Sequence, residues 1–88
     1  MHKYFVEFLG TLFVVFIMLV TDNWLAIGCA LAIAFVLTQQ ISGGMLNPAT
    51  TLAFYAANKL PKYDVIPYIL VQMLGGLVAY HLYKMYVI

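Results

Sequence analysis

Three apolar runs take up most of this chain, each close to the roughly 20 residues that cross a hydrocarbon core of about 30 Å. They are read at Tyr4–Val20, Trp24–Ile41 and Val65–Ile88. No other feature limits the fold as severely, because spans of this length leave room only for turns and one short insertion. Of the 88 residues, 66% are hydrophobic and 8% charged, too few charges to keep such a surface in water. The solvent is therefore a bilayer, and the chain reads as a single integral, multi-pass membrane unit of the all-α class. A formal charge of +1 with no basic run argues against nucleic acid as a partner. Thr21-Asp22-Asn23 closes the first run with turn and cap residues. Trp24 suits an interfacial belt. Asp64 opens the third run, with Pro67 in its first turn, where proline does little damage. The first run is too long for a signal-peptide core, and Val20-Thr21-Asp22 makes a poor cleavage site.

The insertion is the stretch SGGMLNPATTLAFYAANKLP, from Ser42 to Pro61. Asn47 is a good N-cap and Pro48 a good first helical residue, so a helix is expected from Pro48 to Asn58. Its eleven residues at about 1.5 Å each reach roughly 16 Å, half the hydrocarbon thickness. Ser42-Gly43-Gly44 supplies a turn through which backbone can leave one helix and enter the next. The 42–58 segment thus reads as a re-entrant loop and half-helix. Irregular backbone at membrane depth survives only when buried in protein or lining a wet cavity. The start of such a helix turns free N–H groups and positive dipole character toward whatever passes. A helix lying on the membrane surface is the plainer alternative.

Around these residues the sequence resembles the aquaporin (major intrinsic protein) family. SGGMLNPATTLA is similar to the family's first NPA loop, SG-x-H-x-NPA-V-T. EFLGT (Glu7–Thr11) resembles its first-helix E-x-x-G-T, and YILVQMLGG (Tyr68–Gly76) its third-helix Y-x-x-A-Q-x-x-G-A. The resemblance covers nearly the whole chain, but only the first of the family's two inverted halves. It implies three transmembrane helices and one half-helix, half of an aquaporin-like inverted-repeat barrel. A single half-helix encloses no pore. The implied assembly is an antiparallel homodimer with two half-helices meeting at the midplane, and eight chains would give four pores. In the family orientation Lys3, Lys59 and Lys62 lie inside and Lys84 outside. That is more bias than strict dual insertion calls for, so a different half-protein stays open as partner.

The resemblance also implies roles. Asn47 offers its amide to the permeant while its carbonyl oxygen caps the half-helix, and Pro48 and Ala49 hold the two helix starts tip to tip. Backbone carbonyls of Gly43, Gly44 and Met45 line one wall. Glu7 braces the re-entrant loop from within, and Gln72 sits on an interior face. Simpler readings stand beside these: a cap without a pore for Asn47, an interfacial carboxylate for Glu7, and an interhelical hydrogen bond for Gln72. Gly10 belongs to the first-helix motif. Gly28 and Ala32, and Gly75 and Ala79, form small-xxx-small pairs suited to helix packing. Thr38, Gln39 and Gln40 suit either a vestibule or an interface.

Three departures bear on selectivity. Met45 replaces the family's histidine. Ile27 occupies the second-helix constriction position, where water-selective members usually carry an aromatic residue. Thr50 would stand where the second loop carries its filter arginine, if the chain pairs with itself. Losing that fixed cation weakens rejection of cations and protons and widens the filter, which points to water and small neutral solutes such as glycerol. Enzyme chemistry has no support: His2 and His81 lack partners at metal or catalytic spacing, and no cofactor or metal is expected. Cys29 is a lone cysteine in an apolar run. The remaining alternatives are a non-conducting membrane subunit paired with another channel, and a small dual-topology proton-coupled transporter working through Glu7.

Overall fold

The computed structural model describes residues 2–87, so Met1 and the end of the third apolar run at Ile88 lie outside the described residues. The described residues form four helices: α1 Lys3–Val20, α2 Trp24–Ser42, α3 Pro48–Ala56 and α4 Lys62–Val87. α1, α2 and α4 are long and apolar enough to cross a membrane, and the molecule measures 41 × 23 × 23 Å. Its long axis matches a bilayer with its headgroup layers, about 40–45 Å. The apolar surface matches too: Trp24 is 79% exposed, Val36 70% and Met85 80%, apolar side chains turned outward to lipid or to a neighbouring chain.

Local chemistry sets the helix ends. Asn23 caps α2, its side-chain oxygen accepting from the N–H groups of Leu25 and Ala26 at 2.9 and 3.0 Å. Gly43, at φ 91°, closes α2 in the left-handed region, its N–H donating to the Gln39 carbonyl at 3.0 Å. Asn47 caps α3 and Pro48 is its first residue. α3 ends two residues earlier than its sequence suggests. Asn58 takes φ 62° and donates to Tyr55 O, while Lys59 N–H donates to Phe54 O. These two bonds form a Schellman stop. α4 begins at Lys62 rather than Val65. Asp64 lies inside its first turn, with both carboxylate oxygens recruited by α1. Pro67 is consequently the sixth residue of α4 and removes one rung of its hydrogen-bond ladder.

α1 is the centre of the arrangement, with α2 and α4 against it and α3 against α4. α2 meets α1 along a stripe of buried Ala30, Ala34, Thr38 and Ser42, spaced four apart. The α1–α4 seam is closer still. A methyl group at Gly75 would stand 2.7 Å from the Phe8 carbonyl oxygen, and Ala79, one turn on, is fully buried. Small residues there let two backbones nearly touch. At one end Asp64 accepts from Lys3 Nζ at 2.7 Å and from Tyr4 Oη at 2.8 Å, which fixes the starts of α1 and α4 at the same membrane face. Among the described residues the backbone of α2 packs against neither α3 nor α4, and its last residue, Ser42, meets α4 only through the Tyr68 hydroxyl, so the half-helix is covered on one side only.

Candidate functional site

The re-entrant segment is built around Glu7, which is fully buried. Its Oε2 accepts from Ser42 Oγ at 2.6 Å and from the Met45 N–H at 3.0 Å. Its Oε1 accepts from the Leu46 N–H at 2.7 Å and from Gln72 Nε2 at 2.9 Å. Four donors from α2, the loop and α4 thus converge on one α1 side chain, which is how a charge is tolerated away from water. The loop is tied at further points. Tyr68 Oη donates to Ser42 O at 2.7 Å. Thr11 Oγ1 donates to Leu46 O at 3.2 Å.

Leu46 is a leucine at φ 57°, a conformation that L-residues with a Cβ occupy at a cost. Its N–H is held by Glu7 and its C=O by Thr11, which compensates that cost. Gly44, at φ 69°, has no such freedom to change: a methyl group there would stand 2.6 Å from the Phe35 ring.

These bonds orient the loop's carbonyls. A trans peptide directs the C=O of one residue opposite to the N–H of the next. With the N–H groups of Met45 and Leu46 turned to Glu7, the carbonyls of Gly44 and Met45 turn away from it. Gly43 follows the same sense, since the Gly44 N–H lies 3.5 Å from Ser42 Oγ.

A second chain of bonds runs from Glu7 to the half-helix. Gln72, 2% exposed, spends its other amide hydrogen on Thr51 Oγ1 at 2.8 Å, and Thr51 donates to Asn47 O at 2.9 Å. The first turn of α3 is therefore anchored to α4 and, through Gln72, to α1. Its depth follows: Leu46 is level with Thr11, midway along α1, and Thr51 with Gln72, near the middle of α4. α3 begins at mid-depth and runs back to the face carrying Lys3 and Lys62.

Asn47 itself is exposed. Its Oδ1 accepts from the Ala49 N–H at 2.7 Å, and since only oxygen can accept there, the Nδ2 amide is the end left outward. Ala49 is also exposed, and Pro48 and Thr50 are half-exposed. Ile27, in the first turn of α2, is half-buried and is not brought near Thr50, because α2 and α3 are not neighbours. Gly10 lies under Leu46 and Gly75 under α1, but a methyl group at Gly28 would meet nothing. Whatever packing Gly28 makes lies outside this chain. Thr38 is buried and donates to the Ala34 carbonyl, whereas Gln39 and Gln40 are exposed. Among the described residues no cluster of His, Cys, Asp or Glu could hold a metal ion.

The sequence model of the major intrinsic protein family matches residues 20–88. The chain belongs to this family. It is 38% identical to the glycerol uptake facilitator protein-like 6 of Lactiplantibacillus plantarum, over 90% of this chain and 41% of that one. To Aquaporin Z of Brucella melitensis it is 37% identical, again over 90% and 41%. To the propanediol uptake facilitator PduF of Salmonella typhimurium it is 45% identical over 65% of this chain and 23% of that one. It thus spans about two-fifths or less of these curated relatives. No solved structure matches it. As a major intrinsic protein with three candidate spans, it is an integral multi-pass membrane protein.

Sequence reasoning singled out Glu7 and Gln72, but it read Ser42 only as part of a turn, Thr11 and Tyr68 only as members of motifs, and gave no role to Thr51. A polar residue within an apolar span is a signal in itself, and Thr11 and Tyr68 carry it; Ser42 and Thr51 lie in the insertion, where polar residues do not stand out.

Proposed function

We propose that the chain is one half-unit of an aquaporin-like channel, pairing with a second half-unit to conduct water and small neutral solutes such as glycerol passively. The observation that carries this reading is the capped start of α3. It sits at mid-depth with the Asn47 amide outward, beside carbonyls of Gly43, Gly44 and Met45 turned away from Glu7. Donors and acceptors fixed by a buried network suit single-file transfer of neutral hydrogen-bonding molecules. The positive end of α3 disfavours cations. The names of the relatives, which include glycerol and propanediol facilitators and aquaporins, support the same permeant class.

The partner proposed first is another copy in the opposite orientation, with four such pairs completing an eight-chain assembly. The two Asn47 caps then meet at the midplane, and each constriction carries Ile27 and Thr50 in place of an aromatic residue and an arginine. Glycerol therefore passes with water. A different half-protein as partner is favoured by one observation. Lys3, Lys59 and Lys62 gather at the face where α1 and α4 begin, and Lys84 alone lies toward the other, a bias toward one orientation. The enclosure of Glu7 by four donors weighs against a proton-coupled carrier.

Stopped-flow shrinkage of liposomes containing this chain tests the proposal. Fast water and glycerol flux, abolished by Asn47→Asp, supports the self-paired channel. Flux that appears only with a co-reconstituted partner supports the mixed pair. A pore passing water but excluding glycerol overturns the assigned selectivity.

A further inference from the structure

The cationic end of the molecule holds a feature that conduction does not use. The Schellman stop of α3 and the start of α4 enclose an open cavity of about 570 Å³ lined by Tyr55, Asn58, Lys59, Leu60, Pro61 and Lys62. Lys3, at the same face, is neutralised by Asp64. Lys59 and Lys62 are exposed, and among the described residues neither has a carboxylate within ion-pairing distance. The turn fixes their neighbours: Lys59 N–H is bound to Phe54 O, and its ammonium lies 6.0 Å from the Phe54 ring. Tyr55 and Asn58 add polar groups, while Leu60 and Pro61 provide apolar wall. Tyr63, which follows Lys62 in the chain, is 72% exposed with its ring under Lys3 Nζ and marks the headgroup level as interfacial tyrosines do.

We propose that this cavity binds the phosphate diester of an anionic membrane phospholipid, with Lys59 and Lys62 as its cations and Leu60 and Pro61 against the glycerol backbone. Two uncompensated lysines on a fixed turn at headgroup depth are complementary to one lipid phosphate and its acidic neighbours. A free phosphate ion offers the same charge but nothing for the apolar wall, so the lipid is the ligand. Binding does not depend on conduction or on the identity of the second half-unit.

Lipid binding to the purified full chain in neutral detergent is the test, read by native mass spectrometry with phosphatidylglycerol, phosphatidylcholine and inorganic phosphate as separate probes. Phosphatidylglycerol is expected to bind well ahead of the other two. Lys59→Gln and Lys62→Gln each weaken it about fivefold, the size expected for one lysine at an anionic surface, and the double variant by more than tenfold. Lys84→Gln, at the opposite face, leaves it unchanged. Equal retention of phosphatidylcholine overturns the proposal. So does equal binding of inorganic phosphate, undiminished phosphatidylglycerol binding in the folded double variant, or an equal loss in Lys84→Gln. Circular dichroism of each variant checks folding, and the side chains at both positions are exposed.

Discussion

The re-entrant segment has two sides with opposite character. On the side of α1, each donor and acceptor is matched: four donors meet Glu7, Tyr68 meets Ser42, Thr11 meets Leu46, and Gln72 and Thr51 hold the cap. Among the described residues no buried side-chain nitrogen or oxygen lacks a partner. On the other side the Asn47 amide and Ala49 are exposed, and no second helix covers α3. Backbone of this kind is not left against lipid. The inner side specifies where the half-helix stands, and the outer side is where a permeant or a second half-unit must supply what is missing.

The contrast is broken most completely at Glu7. Replacing it with alanine removes the shared acceptor of four buried donors, of which only the Ser42 hydroxyl has another acceptor at hand, the Thr38 carbonyl, and a loss of about 4 kcal/mol is expected, the scale of removing one member of a buried polar network. Glu7→Gln is expected to be nearly as damaging, because an amide turns its own N–H donors on the loop's. Unfolding of the two variants in detergent micelles, followed by circular dichroism, checks this. A Glu7→Gln chain as stable as the parent would mean that the loop does not depend on two acceptor oxygens at this position.

Next in size is the α1–α4 seam, where neighbouring glycines give an internal control. Gly75→Ala places a methyl group 2.7 Å from the Phe8 carbonyl oxygen. Rigid backbones must separate, and a loss of about 1–3 kcal/mol is expected. Gly76→Ala meets nothing and gains up to about 1 kcal/mol from helix propensity. Opposite signs in unfolding midpoint, one residue apart, would establish that the seam is a backbone contact. Tyr68→Phe should have a smaller effect, about 1 kcal/mol, by leaving the Ser42 carbonyl without its donor. That loss should vanish in a Glu7→Ala background, where the loop is already released, as a double-mutant cycle would reveal.

The spans and the start of the half-helix were legible because their signals are local: apolar length, Asn47 before Pro48, and Gly43 at the end of α2. Where α4 begins was not. Asp64 has the look of a cap in sequence, but Lys3 and Tyr4 take both its oxygens from some sixty residues away. The Glu7 hub was legible only in outline. Resemblance pointed to a brace for the loop, whereas the left-handed Leu46 and its two bonds depend on a loop path that no periodicity encodes. Thr51 was hidden for a related reason, since its neighbour Thr50 shares its chemistry and only the helix register turns one inward and leaves the other half-exposed.

The smallest effect expected on the chain itself is at Gly28, and it separates the two sides best. Gly75 and Gly28 each stand four residues before a small partner, Ala79 and Ala32, yet one contacts α1 and the other contacts nothing. Gly28→Leu should therefore leave the unfolding midpoint of the single chain unchanged or slightly raised, because a leucine there faces open space and favours helix. If α2 meets another chain in the assembly, the same substitution lowers the cross-linked, higher-order fraction without destabilising the fold. Chemical cross-linking in liposomes beside unfolding in dilute micelles distinguishes the cases. Loss in both would mean that α2 has a partner within the chain, and loss in neither would assign this face to lipid.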